Sequence, residues 1–275
     1  MLTTITEDEI KAIINAETYD PFSILGIHVK KINDKNVIAI RTFQPEAEDV
    51  IIQGVKNSEK CVKVHTDGLF EAVFEGINNV FPYRLKIIWK DGNENIIDDP
   101  YRLPPVINDY DLYLFNEGTH IKIYDRFSVQ FMVFESLKGV FFSIWAPNAI
   151  RVSVVGDFNQ WDGRRHMMRS RGNSGVWEIF IPGLSVNLLY KFEIVTREKV
   201  ITVRSDPTGF MYEKRPKTAS VVFDQNNYKW NDDKWLENRI LPLDKPVAIY
   251  EMHLGSWRRK ITDNRAKHIL HLSLL

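Results

Sequence analysis

Apolar and polar positions alternate with a period of two over much of this chain. Val37, Ala39, Arg41 and Phe43 fall on one side of an extended backbone and Ile38, Ile40 and Thr42 on the other. That period is the signature of β-strands. Similar stretches recur as far as Trp89. A short helix precedes them, because Ile10, Ile13 and Ile14 share a helical stripe behind Thr6 and Glu9, which have the spacing of a capping box. Asp91-Gly92, directly after Tyr83 to Trp89, predicts a hairpin turn. Beyond it the same grammar starts again.

The restart is a repeat. Phe43, Pro45, Ala47, Val50 and Gly54 match Trp145, Pro147, Ala149, Val152 and Gly156, each displaced by 102 positions. GLFEAVFEG (68–76) matches GVWEIFIPG (175–183), YRLKI (83–87) matches YKFEI (190–194) and Asp99-Pro100 matches Asp206-Pro207, all displaced by 107. One register held through shared Pro, Gly and Tyr marks points to two homologous domains. Short strands at regular spacing with turn residues between them predict an all-β architecture, two tandem immunoglobulin-like sandwiches over 1–110 and 111–225. Residues 226–275 are left as a linker and the start of something else.

Composition narrows the partners. The 275 residues carry 36 basic and 36 acidic side chains, so no net cationic field is available for nucleic acid or an anionic membrane. A neutral ligand or a protein partner is the expectation. The single cysteine, Cys61, permits no internal disulfide, and the acidic start MLTTITEDEI is unlike a signal peptide. No apolar run approaches the roughly 20 residues of a membrane-spanning helix. These features predict a cytoplasmic, soluble, monomeric protein.

The change of displacement locates the chemistry. Between Gly156 and Gly175 the second copy has five residues more than the first, and reads GDFNQWDGRRHMMRSRGNSG where the first reads GVKNSEKCVKVHTDG. Asp157, Asn159, Trp161, Asp162 and Arg164 offer a flat aromatic with hydrogen-bonding groups beside it, which suits the C–H face and hydroxyl rim of a neutral sugar. Ring stacking of this kind is worth about 0.5–1.5 kcal/mol beyond area burial. The competing reading packs Trp161 over a sandwich edge, with Asp162-Gly163 as a plain turn. Lys191, on the strand from Tyr190, could bond a sugar hydroxyl. Trp177 is another candidate aromatic, but its match Phe70 suggests a core role.

Other groups point away from catalysis. A retaining glycosidase needs two carboxyl groups about 5 Å apart across the bond it breaks, and adjacent residues such as Asp98-Asp99 or Asp232-Asp233 seldom converge so. Asp99 before Pro100 reads as a turn former, and Asp232-Asp233 as a helix start near Trp235. His268 and His271 could share a helical face but lack a further ligand, so no metal is expected. Cys61 has no adjacent base and reads as inert. No glycine-rich phosphate loop follows a predicted strand, and no cofactor is expected. The stretch PVAIYEMHLGSWRRK (246–260) reads as a strand over Val247 to Glu251 opening onto a loop, like one strand of a (β/α)8 barrel.

These segments resemble the α-1,4-glucan branching enzymes of the α-amylase superfamily. YDPFSILGIH (19–28) is similar to the opening of their first sandwich. FSIWAPNAIRVSVVGDFNQWDGRRHMMRSRGNSGVWEIFIPGL (142–184) and SDPTGFMYEKRPKTASVV (205–222) resemble their family 48 carbohydrate-binding module. IYEMHLGSWRR (249–259) resembles the first strand of their barrel. The resemblance implies an α-glucan partner, glycogen or a maltooligosaccharide, and Trp161, Asn159, Asp162 and Lys191 are the residues expected to hold it. It also implies transfer of a glucan segment, held as an ester on an Asp, to a 6-hydroxyl. A barrel takes about 250 residues, and fewer than 30 follow Pro246. No catalytic residue carries over, and the divergent ITDNRAKHILHLSLL (261–275) is expected to be a truncated or frameshifted end whose apolar tail lacks its barrel partners. A free-standing glucan-targeting module and a purely structural sandwich pair are the alternatives.

Overall fold

A computed structural model of the chain describes residues 3–54, 58–77, 79–239, 246, 249–253, 259–262 and 265–268. The opening helix α1 (Glu7–Ile14) forms behind its capping box: the Thr6 hydroxyl accepts from the Glu9 amide at 3.2 Å, and the Glu9 carboxylate accepts from the Thr6 N–H at 2.9 Å. Ile10 and Ile13, on its stripe, are buried.

The first sandwich follows with β1 (Gly26–Ile32), β2 (Lys35–Phe43), β3 (Ala47–Gly54), β4 (Ser58–Lys60), β5 (Val62–His65), β6 (Leu69–Glu75), β7 (Tyr83–Trp89) and β8 (Glu94–Asp98). One antiparallel sheet runs β1-β2-β6-β5 and the other β4-β3-β7-β8. After the connecting helix α2 (Asp109–Glu117) come β9 (Gln130–Phe134), β10 (Leu137–Trp145), β11 (Ala149–Gly156), β12 (Arg169–Ser170), β13 (Val176–Pro182), β14 (Leu189–Thr196), β15 (Ile201–Arg204), β16 (Met211–Tyr212) and β17 (Ser220–Val221). They form a β9-β10-β13-β12 sheet and a β11-β14-β17-β16 sheet to which β15 adds through β14. Alternating side chains from facing sheets fill each core.

The repeat read from the sequence is a repeat in three dimensions. Phe43 pairs with Leu69 as Trp145 does with Val176, and Gly54 pairs with Tyr83 as Gly156 does with Tyr190. Even the bulge is copied: the ladder slips between Ala47 and Asp49 in one copy and between Ala149 and Arg151 in the other. In each, a buried Tyr hydroxyl donates to a buried carboxylate, Tyr83 to Asp99 at 2.5 Å and Tyr190 to Asp206 at 2.7 Å. The shared glycine of the third block has a steric reason. At Gly68 and Gly175 φ is +101° and +74°, and an added Cβ would lie 2.4 Å from the Gln44 carbonyl oxygen and 2.7 Å from the Pro147 Cβ respectively.

The cores are unequal. Ile38, Ile40, Val50, Ile52, Phe70 and Leu85 fill the first sandwich. The second core, with Phe142, Val152, Trp177 and Phe192, continues without a break into Ile10 and Ile13 of α1, Leu25, Phe43 and Leu69. Each large apolar side chain in it contributes about 1.5–3 kcal/mol by transfer from water. Residues 1–227 accordingly form one compact unit, and residues 228–275 a second.

In that second unit α3 (Asp233–Glu237) starts where Asp232-Asp233 predicts, and β18 (Arg259–Thr262) pairs with β19 (Arg265–His268). No strand is formed over Ile249 to His253, so the barrel strand expected over Val247 to Glu251 is not seen there; Val247 and Ala248 lie outside the described residues. His268 is on a strand rather than a helix, while His271 and the apolar tail Ile269, Leu270, Leu272, Leu274 and Leu275 also lie outside them. Among the described residues no helix is long and apolar enough to cross a membrane.

Candidate functional site

The five extra residues of the second copy sit in one loop at a sheet edge. In the first copy Lys60 pairs with Ile51 and the Cys61 amide donates to the Val50 carbonyl at 2.8 Å. In the second, Met167 bridges Ser153 and the Met168 amide donates to the Val152 carbonyl at 2.9 Å, which are the corresponding positions. The scaffold is therefore undisturbed, and the insertion is confined between Gly156 and His166.

Inside the loop a 3-10 turn over Asp157–Asn159 is followed by Gln160 and Trp161, both at φ 59°. Two consecutive left-handed residues that are not glycine carry a conformational cost, so other contacts must hold them. Asn159 does much of this. It is 2% exposed; its Oδ1 accepts from the Gly156 amide at 2.9 Å, and its Nδ2 donates to the Val154 carbonyl at 2.9 Å and to His166 Nδ1 at 3.0 Å. The structure thus turns Asn159 inward as the loop's anchor rather than outward to solvent. His166 must be neutral to accept that bond, and desolvation, followed by the charge of Arg165, pulls its pKa down to about 4.

Trp161 is the exposed aromatic of the loop, at 38%. Its indole N–H donates to Asp157 Oδ1 at 2.8 Å, which fixes the plane of the ring. Asp162 is spent within the loop: Arg164 Nε and Nη2 reach its carboxylate at 3.0 and 2.8 Å, and the Arg164 amide donates to Oδ1 at 2.9 Å. Burial pushes the Asp162 carboxyl up, but the Arg164 hydrogen bonds outweigh it and hold it below the usual carboxylate range. Gly163 then crosses β14 so closely that a Cβ would lie 2.1 Å from Glu193 Oε1. Beneath it Arg151 bonds Glu193 at 2.6 Å and the Gly163 carbonyl at 3.2 Å. Lys191 is opposite Val155, on the strand next to the loop's root, and donates to Thr218 Oγ1 at 2.8 Å.

The far side of the loop grips the first sandwich. Arg164 lies 5.7 Å from the Phe43 ring centroid, and Arg165 reaches the Pro45 carbonyl at 3.4 Å, Glu46 at 3.5 Å and Gln160 at 3.1 Å. The Tyr101 hydroxyl accepts from the Met167 amide at 3.0 Å and donates to the Arg165 carbonyl at 3.3 Å. Arg169 donates to the Leu103 carbonyl at 2.5 Å and covers the Phe22 ring at 3.5 Å, and burial draws its pKa down to about 10. The platform that carries Trp161 is thereby built by both domains. Glu46, Tyr101 and Arg165 leave no periodic signal, and nothing in the sequence marks Phe43, Pro45 or Arg164 as cross-domain contacts.

The remaining candidates have structural duties. Trp177 is 3% exposed and donates to the Ala146 carbonyl at 3.1 Å, in the core position of Phe70. Asp99 is fully buried between the Tyr83 hydroxyl and the Tyr101 amide, and Asp98 pairs with Arg102 at 2.9 Å. Cys61 is buried where Met168 is in the second copy, and burial pushes its thiol up to about 12. Among the described residues no three His, Cys, Asp or Glu side chains group to hold a metal.

With this geometry in place, comparison with known proteins gives the class. Residues 6–101 match the family described as alpha-1,4-glucan branching enzyme GlgB, N-terminal domain, and residues 128–209 match carbohydrate-binding module 48, the isoamylase N-terminal domain. The first sandwich thus matches the GlgB amino-terminal domain and the second the carbohydrate-binding module. The 1,4-alpha-glucan branching enzyme GlgB of Thermosynechococcus vestitus is 45% identical over 262 residues, covering 92% of this chain and 33% of that enzyme; its counterpart in Paramagnetospirillum magneticum is 42% identical over 273, covering 98% and 36%. This chain belongs to the GlgB branching-enzyme family as its amino-terminal region, and spans about a third of the length of the curated relatives it matches. A solved pullulanase from Anoxybacillus sp. LM18-11, complexed with maltotriose, overlays at 12% identity with a TM-score of 0.31, over 84% of this chain and 30% of its own. That overlay adds nothing to the family assignment.

Proposed function

We propose that the chain is the glucan-holding front of a 1,4-alpha-glucan branching enzyme, working as a cytoplasmic monomer. Its second sandwich binds a neutral α-glucan chain such as glycogen or a maltooligosaccharide, with Trp161 as the stacking platform. Lys191, on the neighbouring strand, and its partner Thr218 supply polar contacts. Asn159 and Asp162 act by holding the platform still. The transfer of an α-1,4 segment to a 6-hydroxyl belongs to residues beyond these 275. The observation that carries the reading is a half-exposed indole, fixed by Asp157 on a loop found only in the copy that matches the carbohydrate-binding module.

A single aromatic platform is weak and gains by multivalency on a polymer. Co-sedimentation with glycogen tests the reading. The intact chain should pellet with the polymer and Trp161→Ala should lose most of that retention; equal retention removes Trp161 from the site. The purified chain should leave the iodine absorption of amylose unchanged, and a fall would overturn the placement of the chemistry elsewhere.

A further inference from the structure

Between the two sandwiches, beside the insertion loop, lies a cleft of about 800 Å³. That is within the range of about 300–1,000 Å³ typical of ligand sites. One wall is the β7–β8 hairpin of the first sandwich with Trp89, Asn93 and Asn95, and the other is the loop itself with Asp157 and Gln160. Arg165 spans the walls, bonded to Gln160 and paired with Glu46, its guanidinium 5.9 Å from the Trp89 ring centroid.

Trp89 packs partly against the first core, yet the repeat shows that a sandwich of this kind does not need an indole at this point. Trp89 pairs with Ala47 beside the copied bulge, and the corresponding pair in the second copy is Ala149 with Thr196. An indole there is an addition peculiar to the first copy, as Trp161 is to the second. The charge of the cleft selects its occupant. Glu46, Asp91, Glu94 and Asp157 outnumber Lys90 and Arg165, so an anion is disfavoured, while Asn93, Asn95 and Gln160 provide amides that both donate and accept. A half-buried aromatic flanked by amides and carboxylates fits a neutral polyhydroxylated chain. The two sites are also joined: Asp157, on the cleft wall, is the residue that holds the Trp161 indole.

We infer that this inter-sandwich cleft is a second α-glucan subsite, with Trp89 as its platform, so that one glucan chain runs from Trp161 over the loop into the cleft. The inference rests on the proposed glucan binding at Trp161. Two weak subsites on one chain act at high effective concentration, so the longer glucan gains and the shorter does not.

Calorimetric titration of the full chain with maltoheptaose and maltotriose tests it. Trp89→Ala should weaken maltoheptaose roughly three- to tenfold, the size of one lost stacking contact, and leave maltotriose unchanged. Trp161→Ala should weaken both. Asn95→Ala, at an exposed position that leaves the fold intact, should weaken maltoheptaose roughly twofold, and maltoheptaose should slow amide exchange across Asn93 to Asn95 in the unmodified chain. Unchanged maltoheptaose affinity in Trp89→Ala and Asn95→Ala, with no slowed exchange in the hairpin, overturns the cleft while a loss in Trp161→Ala keeps the first reading. No loss in Trp161→Ala overturns both.

Discussion

The two sandwiches share the register of their central strands, the bulge and the buried Tyr–Asp bond, yet one buried carboxylate behaves oppositely in them. Glu71 pairs across the sheet with Arg41, and Glu178, at the matching position, pairs with Ser143. Burial pushes the Glu71 carboxyl up, but bonds from Thr3, Thr4 and Arg41 outweigh it and hold it below the usual range. At Glu178 burial prevails over the Ile107 amide and Arg171, and the carboxyl is raised. The two copies share the backbone geometry at this point, and the charge of each carboxylate is set by what its own copy packs against. The loop at the Gly156 edge follows the same rule: Asp157 and Arg164 fix Trp161 and Asp162 from within, and Arg165 and Tyr101 tie it to the other domain.

The largest effects that would break this comparison lie in the cores. Glu71→Ala should cost about 3–5 kcal/mol, because the fully buried Arg41 loses its 2.9 Å carboxylate partner and keeps only the Thr4 hydroxyl and a partly exposed Glu9 at 3.7 Å. Glu178→Ala should cost less, since Arg171 keeps Asp109 and the Ile107 carbonyl. Urea unfolding of both variants reads the difference, and equal losses would mean that the partners do not distinguish the copies. Trp177→Ala should destabilise by about 3–5 kcal/mol, as a core aromatic does, while Trp161→Ala should stay within about 0.5 kcal/mol of the parent. If Trp161→Ala were the more damaging, the platform would be a core element after all.

Intermediate effects separate anchor from platform. Asn159→Ala should cost about 1–3 kcal/mol by leaving the Gly156 amide and the Val154 carbonyl short of a partner. It should also weaken glycogen retention, although the side chain does not face solvent.

The smallest expected effect is on pH. His166 is neutral when folded, with its pKa down near 4, so its contribution to stability is complete above its unfolded pKa of about 6.5 and is lost as pH falls through 4. Asp99 runs the other way: burial raises its pKa to about 6 against the Tyr83 and Tyr101 bonds, so its contribution is present below its unfolded value and is lost as pH rises through 6. Global stability should therefore be nearly flat between these limits, while glycogen retention falls toward pH 4 as protonation abolishes the bond that His166 accepts from Asn159. His166→Gln should flatten that decline. An unaltered decline would place the sensitive group elsewhere.

Some of these duties are legible in the amino-acid sequence. The capping box at Thr6 and Glu9, the hairpin at Asp91-Gly92 and the repeat itself depend on spacing along the chain, which strand and helix geometry preserve. Trp177 could be assigned to the core because its match is Phe70. Asn159 was read as a sugar contact because an amide beside a tryptophan suits a hydroxyl rim, and only the turn over Asp157–Asn159 sends it inward. Trp89 attracted no notice, because nothing in its own strand marks it as different from a core residue.

The sequence alone determined the doubled sandwich, the edge at which the copies diverge, and the family. The first two follow from local periodicity and from residues such as Gly68 and Gly175 whose identity is forced by backbone sterics, and the family from the resemblance carried by segments such as 142–184. Only the tertiary structure decided which side chains of the loop face solvent, which bind the loop to itself, and that Arg165 and Tyr101 fasten it to the other domain. Left-handed residues reverse the direction of side chains without any periodic trace, and partners such as Pro45 and Arg165 meet only when both sandwiches have folded.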